Sequence, residues 1–286
     1  MIRLCALLPA PSHEENLARA ARLRLWGVGT GFGPEVTPAQ AQAVGRRYRD
    51  AGLEIVQVGA YCNVATPVAE ARQEAIDGLK RAMELAAAAG ARAVATGAGH
   101  CDPARPRDAF AAHPDNFGEA ALDRLADTCR QVLVSAGGAG VRLLVETWVI
   151  SPLNNLVRTS EAVRRVAHPD FGILLDPVNL MNLDNYFDNG SFLRRAVQQL
   201  GPAIGLVHAK DTLLHPERFT YQLAEEPVGR GALDYGALLE ALAELPSDVP
   251  LCVEHVHTEA EVAAALAYLR QLADRLGVSR GGSADA

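Results

Sequence analysis

Short apolar runs alternate with longer amphipathic stretches along the whole chain, and the two patterns predict strands and helices in turn. Eight runs have the length and the branched-chain content of buried strands, and several are bounded by Gly or Pro. They are Ile2–Leu8, Leu25–Gly31, Glu54–Ala60, Ala91–Thr96, Val141–Thr147, Gly172–Pro177, Ile204–Ala209 and Pro250–His255. Because parallel strands are joined by right-handed helical crossovers, eight such units predict an α/β fold that closes into a (β/α)8 barrel.

Three of the helical stretches carry clear end signals. Residues 37–40 place a Thr before Pro and a Gln at the third helical position, and Thr258 with Glu261 forms a capping box. Residues 68–89 are Ala-rich with spaced charges and stop at Gly90, which predicts a long amphipathic helix with a left-handed C-cap. No GxGxxG motif follows the first predicted strand, which argues against an open dinucleotide-binding sheet.

Length and charge narrow the class of protein. A chain of 286 residues with 49% hydrophobic content can form one large core, so residues 1–278 are predicted to be a single domain. The small, polar segment 279–286 is predicted to be a disordered tail. The net charge of -7 disfavours a nucleic-acid partner, because phosphate binding depends on Lys and Arg.

Cysteine usage and the amino terminus indicate a compartment. The five cysteines are odd in number, widely spaced and without a CxxC pair, which favours free thiols in a reducing environment. The first apolar run is followed by Pro and acidic residues instead of a cleavage site, so it is interpreted as a strand and not as a signal peptide. No stretch is long and apolar enough to span a bilayer, and a cytoplasmic location without membrane association is predicted.

Four acidic or imidazole residues lie at the ends of four successive predicted strands: Glu146, Asp176, His208 and Glu254. The carboxyl ends of barrel strands form one ring, so these side chains are expected to converge there. An oxygen-rich donor set with one imidazole suits one divalent ion, with Mn²⁺ as first choice and Co²⁺, Mg²⁺ or Zn²⁺ as alternatives. The structural alternative is a solvated rim of salt bridges to Lys210, Arg218 and Arg230.

Side-chain alternation places further residues at the same mouth. Trp148 shares the face of Glu146, and its indole could pack on a sugar ring. Lys210 shares the face of His208, and its ammonium could stabilise a developing oxyanion. Three neighbouring residues are expected to face the helix layer instead: Thr147, Asp211 and His255.

Three residues in the predicted loops are weaker candidates for substrate contacts. His100 follows the fourth predicted strand, and His257 follows Glu254 at the start of the last helix. Arg230 lies between two glycines after the seventh predicted strand, where barrels often bind phosphate. Each is as well explained as an ordinary surface or turn residue.

The motifs LLDPVN, VHAKD, VGRGALDYGALLEAL and VEHV together resemble the sugar phosphate isomerase/epimerase superfamily, the xylose-isomerase-like TIM barrels. The likeness extends from about Leu53 to about His257 and is specific for the superfamily but weak for the subfamily. Ketose 3-epimerases, inosose dehydratases and endonuclease IV belong to this group. The resemblance implies a carbohydrate substrate and a metal-dependent reaction.

By this resemblance, Glu146, Asp176, His208 and Glu254 match the metal ligands of the superfamily. In the epimerase branch the two glutamates also act as acid and base, one forming a cis-enediolate and the other returning the proton on the opposite face. Lys210 would then lie beside the developing oxyanion. Many members carry His three residues after the strand-six Asp, whereas this chain has Asn179, which can bond a substrate hydroxyl but not shuttle protons.

The sequence leaves several functions open. An isomerase or epimerase acting on a ketose, a sugar acid or a sugar phosphate is the first hypothesis. An inosose-type dehydratase would use the same metal-enolate chemistry, and the Lys of HAKD suits it. A non-catalytic sugar-binding barrel is compatible with the same fold. Asn179, the net charge and the missing further ligands oppose a trinuclear DNA-cleaving site, and whether the chain forms a homo-oligomer stays open.

Overall fold

The computed structural model describes residues 2–7, 12–136 and 138–278, so the predicted tail 279–286 and Leu8 of the first predicted strand lie outside the described residues. The strands and helices follow in chain order: β1 Arg3–Ala6, α1 His13–Leu23, β2 Gly27–Thr30, α2 Pro38–Asp50, β3 Glu54–Gly59, α3 Ala69–Ala89, β4 Ala93–Gly97, α4 Glu119–Ala136, β5 Arg142–Glu146, α5 Leu156–Val166, β6 Phe171–Leu175, α6 Leu183–Tyr186, α7 Asn189–Leu200, β7 Ile204–Ala209, β8 Asp211–Leu214, β9 Leu223–Glu226, α8 Tyr235–Ala243, β10 Pro250–Val253 and α9 Glu259–Leu276.

Eight parallel strands close into a barrel in the order β1-β10-β7-β6-β5-β4-β3-β2, which confirms the predicted single-domain (β/α)8 fold. Each predicted strand overlaps one barrel strand. Closure is made by β1 and β10, which pair in register from Arg3 opposite Pro250 to Ala6 opposite Val253. No helix of the described residues has the length and apolar character needed to cross a membrane.

The predicted helix ends are confirmed. Thr37 accepts a hydrogen bond from the backbone of Gln40 at the start of α2, and Thr258 caps α9 in the same way through Glu261. Helix α3 ends at Gly90, which has φ of 73° and donates its backbone N–H to the carbonyls of the last turn. These caps fix the residues at which α2 and α9 begin and α3 ends.

A two-stranded antiparallel hairpin, formed by β8 and β9, is inserted between β7 and α8. The sequence analysis did not predict it. Its residues form no clear alternation of apolar and polar positions. Asp211 is the backbone partner of Glu226 at the base of the hairpin. The hairpin follows directly after the carboxyl end of β7, so it lies at the barrel mouth.

Small and medium side chains fill the barrel interior: Cys5, Val56, Ala93, Ala95, Leu144, Leu174, Leu206 and Cys252. Four of them, Leu144, Leu174, Leu206 and Cys252, lie two residues before Glu146, Asp176, His208 and Glu254. Because side chains two residues apart on a strand point to the same side, the four later residues also point toward the barrel axis. A larger apolar cluster packs between the strands and the helices. The core thus supports the barrel mouth from below and from outside.

The helix layer contains one very close approach. A Cβ atom at Gly45 of α2 would lie 1.9 Å from the backbone oxygen of Ala89 at the end of α3. Only glycine permits this contact between the two helices. Gly78, in the exposed part of α3, has open space where its Cβ would be.

Candidate metal centre

The four predicted ligands lie at the carboxyl ends of consecutive strands in the ring. Glu146 is the last residue of β5, His208 is the penultimate residue of β7, and Asp176 and Glu254 directly follow β6 and β10. All four are buried, and one donor atom from each lies within 4.8 Å of every other donor atom. The expected convergence of these side chains is therefore observed.

Ion-pair contacts connect the cluster. Nδ1 of His208 lies 2.7 Å from Oε2 of Glu254 and 3.5 Å from Oε1 of Glu146. Nζ of Lys210 lies 2.8 Å from Oδ2 of Asp176 and 3.0 Å from Oε1 of Glu254. Positive charge thus approaches the three carboxylates from two sides.

The electrostatics follow from burial and from this crowding of charges. Burial raises the pKa of Asp176 to about 7, although Lys210 acts in the opposite direction. Burial alone would lower the pKa of His208, but Glu254 and Glu146 outweigh it and raise that pKa to about 10. Burial would likewise lower the pKa of Lys210, but the nearby carboxylates of Asp176 and Glu254 outweigh burial and raise that pKa. The carboxylates therefore favour any cation placed among them.

These residues fit a divalent cation. Asp176 Oδ2, His208 Nδ1 and Glu254 Oε1 are buried atoms without a hydrogen bond of regular geometry in the described part of the chain. Three carboxylates and one imidazole match the donors that Mn²⁺, Mg²⁺ and related ions take in proteins. Buried carboxylates at this spacing repel one another unless a cation lies between them.

A cavity of about 440 Å³ opens above the cluster. Its walls are formed by Leu7, Gln57, Tyr61, Phe110, Glu146, Trp148, Asn179, Lys210, Glu225, Glu254 and His255. Trp148 and Phe110 meet edge to face with ring centroids 5.4 Å apart, and Tyr61 continues this aromatic wall. Trp148, Asn179 and Lys210 therefore lie where the sequence predicted them.

Asn179 contacts two of the predicted ligands. Its Nδ2 atom donates a hydrogen bond to Oε1 of Glu146 over 3.1 Å. Its backbone N–H donates to Oδ1 of Asp176 over 3.0 Å, at the start of the short 3-10 turn Val178–Leu180 that follows β6. Asn179 is thus a partner of the carboxylates as well as a residue of the cavity wall.

Three predicted substrate contacts lie away from the cavity. His100 is buried in its own loop, where its ring nitrogens bond to the backbone of Asp108 at 2.9 Å and Asp102 at 3.1 Å. Arg230 is exposed on the turn after β9. His257 is exposed and lines a neighbouring cavity of about 540 Å³. Arg230 thus fits the alternative of an exposed turn residue, whereas His100 is a buried residue that holds its own loop and not the surface histidine of that alternative.

The predicted orientation of His255 is wrong, whereas Asp211 lies outside the cavity wall. Asp211 is the first residue of the hairpin strand β8, and its buried carboxylate accepts hydrogen bonds from the backbones of Leu233 and Gly229. His255 instead lines the cavity and pairs with Glu225. Strand β10 ends at Val253, and His255 has φ of 51°, so strand alternation no longer sets its direction.

Sequence reasoning missed several cavity residues. Gln57 is the one polar residue in the buried part of β3, residues 55–58, a signal that could have been used. Tyr61 and Phe110 lie in loops that follow β3 and β4. Glu225, on the hairpin, lies 3.1 Å from Nζ of Lys210, and no sequence pattern indicated this contact.

The fold and the cluster together define a class of protein. It is a closed parallel barrel with three buried carboxylates and one histidine at its carboxyl end, where a divalent metal could bind. The chain belongs to the xylose isomerase-like TIM barrel family, whose model matches residues 17–272. A comparison with curated proteins gave no match.

Solved structures agree with this fold. The xylose isomerase domain protein from Planctomyces limnophilus has a TM-score of 0.72 and 19% identity, covering 96% of this chain and 97% of its own. D-Psicose 3-epimerase from Clostridium cellulolyticum H10, solved with D-tagatose, has values of 0.71 and 15%, covering 94% and 99%. A xylose isomerase-like TIM barrel protein from Mycobacterium smegmatis, in complex with magnesium, has values of 0.70 and 18%, covering 96% and 97%.

Proposed function

We propose that this protein is a divalent-metal-dependent isomerase or epimerase that acts on a ketose or a related sugar. The observation that carries the proposal is the convergence of Glu146, Asp176, His208 and Glu254 to within 4.8 Å beneath an open cavity, whose wall includes Glu146 and Glu254. The family supports it, and so does the likeness in fold to D-psicose 3-epimerase. A buried cluster of this kind at the carboxyl end of a barrel is the usual position of an active site.

The four clustered residues would hold the metal ion. Mn²⁺ is the first choice for the oxygen-rich donor set, and Co²⁺, Mg²⁺ and Zn²⁺ are alternatives; the protein from Mycobacterium smegmatis is described with magnesium. A divalent ion bound there supplies a positive charge that polarises a substrate carbonyl and acidifies the neighbouring C–H.

The five cysteines are all free thiols, which agrees with the proposed cytoplasmic location.

Glu146 and Glu254 are the proposed acid and base. They approach the cavity from β5 and β10, which are separated in the ring by β6 and β7. One carboxylate would take the proton from the substrate carbon to give the enediolate form of the sugar, and the other would return a proton. Both side chains line the cavity, so both can reach a sugar bound there.

The surrounding residues have distinct proposed roles. Lys210 would donate to the substrate oxygen that gains charge. Trp148, with the ring of Phe110 against it, would pack on the apolar face of the sugar. Asn179 holds Glu146 in place and could bond a hydroxyl with its remaining donor.

The charge of the cavity wall favours an unphosphorylated sugar. Three carboxylates line it, from Glu146, Glu225 and Glu254, and Lys210 already contacts Asp176, Glu225 and Glu254. Arg230, the candidate phosphate ligand, is exposed and does not line the cavity. Lys210 and His255, the cationic side chains of this wall, both already pair with carboxylates, so a phosphate dianion would find only the metal ion as an unshared positive charge.

A dehydratase is the second candidate, and the position of Lys210 is the observation that favours it. Its ammonium lies 3.0 Å from Glu254, so a proton donor and a carboxylate are side by side at the cavity floor. Such a pair could remove a proton from carbon and protonate a departing hydroxyl. The mass of the product separates the two reactions, because dehydration loses water and isomerisation does not.

The test is a turnover assay in D2O on metal-loaded protein with a panel of ketoses, inososes and their phosphates. Glu146→Gln and Glu254→Gln are each expected to abolish deuterium incorporation at the substrate carbon, because each removes one proton-transfer group. The control is Glu240→Gln on the exposed side of α8, which should exchange like the wild type. Undiminished exchange in both active-site variants would rule out the two-carboxylate scheme. Binding of a sugar without turnover would instead support a non-catalytic barrel.

A further inference from the structure

We propose that Gln57 is a positioning residue that fixes the imidazole of His208 for metal binding; this inference rests on the proposed function. Nε2 of His208 and Oε1 of Gln57 lie 3.3 Å apart. Both side chains are buried, with 1% of His208 and 5% of Gln57 exposed. Bulk water therefore cannot replace either partner in the contact between Gln57 and His208.

A register shift in the sheet directs Gln57 into the barrel mouth. Along β2 and β3 the paired residues pass from Val28 opposite Ile55 to Gly29 opposite Gln57, so Val56 is skipped. Val56 packs in the barrel interior, and the next side chain, Gln57, lines the cavity above it. In a regular strand these two neighbours would point to opposite faces. The bulge therefore re-aims Gln57, as bulges near active sites often do.

Gly29 leaves the space that this arrangement requires. A Cβ at Gly29 would lie 2.0 Å from Cδ2 of Leu7 and 3.4 Å from Cγ of Gln57. A larger residue would therefore displace Leu7 and press on the Gln57 side chain.

The contact spans the barrel mouth. From β7 to β3 the ring order runs through β6, β5 and β4 in one direction and through β10, β1 and β2 in the other, which is four steps each way. Gln57 therefore reaches His208 from the strand diametrically opposite. Gln57 contacts the edge of the imidazole that is remote from the carboxylates, because the other imidazole nitrogen, Nδ1, contacts Glu254 and Glu146.

The two contacts define which nitrogen is available to a metal. Because the amide oxygen of Gln57 accepts the Nε2–H, the proton that a metal ion would displace is the one on Nδ1, whose lone pair then becomes available for coordination. Nδ1 is the atom that faces the cluster, 2.7 Å from Oε2 of Glu254. Hydrogen bonds of this kind orient histidine ligands and select their tautomer in metalloproteins.

Calorimetric titration of metal-free protein with MnCl₂ alone tests the proposal. Gln57→Met removes the acceptor at similar volume and is expected to weaken Mn²⁺ binding roughly 10- to 100-fold. Gln57→Glu keeps an acceptor at the same reach and is expected to restore the affinity. Gln73→Met, the same substitution on the exposed face of α3, should bind Mn²⁺ like the wild type.

Nitrogen NMR of the Zn²⁺-loaded wild type provides a second readout, which also serves if Gln57→Met does not fold. The proposal requires a proton on Nε2 of His208 and metal on Nδ1. The opposite assignment, or unchanged Mn²⁺ affinity in a folded Gln57→Met variant, would overturn the role of Gln57. Failure of the wild type to bind any divalent ion would instead overturn the proposed function, so the two failures are distinguishable.

Discussion

The side-chain amide of Asn179 bonds to Oε1 of Glu146 at 3.1 Å, while its backbone N–H bonds to Oδ1 of Asp176 at 3.0 Å. One residue therefore holds two carboxylates of the cluster. A histidine at this position, as many superfamily members have, could shuttle protons, whereas the amide can only donate or accept hydrogen bonds. Asn179 is thus placed to orient these two carboxylates, and its amide group has no titratable proton to transfer.

Replacing Asn179 by Leu should lower kcat/KM about tenfold, because a hydrogen bond to a charged group is worth about 1.5 kcal/mol or more. The backbone bond to Asp176 remains, so the melting temperature should change little. Asn179→Asp should reduce kcat/KM further, since it adds a fourth carboxylate beside Glu146. Steady-state kinetics measure both effects. A Leu variant with wild-type kcat/KM would contradict this role.

Replacing Lys210 by Met should destabilise the metal-free protein by about 3 kcal/mol, because it leaves Asp176 buried without its cation and leaves Glu254 with His208 alone. Bound Mn²⁺ should recover much of the loss by supplying positive charge to the same carboxylates. Urea unfolding with and without Mn²⁺ measures the difference. Lys80→Met is the matched control, since Lys80 is the only other lysine in the sequence and lies on α3. An equal loss with and without metal would argue against shared carboxylates.

Gly45→Ala should destabilise the protein by about 2 to 3 kcal/mol, because the added methyl group would overlap the backbone of Ala89 and push α2 from α3. Gly78→Ala is the opposite case, since its Cβ would meet open space on an exposed helix. That variant should be stabilised by up to about 1 kcal/mol. Chemical unfolding of both proteins checks the pair. Equal effects of the same sign would show that helix packing is not the cause.

The His255 and Glu225 pair should make stability depend on pH. Its hydrogen bond to Glu225 raises the pKa of His255 above the ordinary value of 6.5. The stabilisation is therefore fully present below pH 6.5 and is lost as the pH rises through the higher folded-state pKa. His255 is half exposed, so the effect should stay below about 1 kcal/mol.

His255→Asn tests this dependence, because Asn tolerates the left-handed backbone at this position. Unfolding free energies of wild type and variant should differ more at about pH 6 than at about pH 9. A difference that is constant over this range would show that the pair does not stabilise the charged imidazole.

Local patterns were sufficient to predict the barrel and its four clustered residues. Strand period and helix caps are set by neighbours in sequence, and the closure of eight parallel strands forces their carboxyl ends into one ring. Glu146 and His208 therefore converge wherever the loops run. The prediction of a metal site among them rested on the rule that a buried charge must have a partner, whereas the predicted acid and base roles of the two glutamates came from the resemblance to the superfamily.

The missed residues depend on long-range geometry. Gln57 faces the cavity because the register between β2 and β3 slips by one residue, and no local pattern reports a slip. Glu225 arrives on a hairpin whose residues lack regular alternation. His255 turns inward through a positive φ after its strand has ended, so the alternation rule was applied one residue too far.

All four clustered donors come from the carboxyl-terminal half of the polypeptide, from Glu146 onward, whereas Leu7, Tyr61 and Phe110 of the cavity wall come from the amino-terminal half. The amino-terminal residues of the wall can therefore vary without any change in the four clustered donors. Randomising Leu7, Tyr61 and Phe110 should change which sugar is accepted, while the proposed metal ligands and the proposed acid and base stay in place.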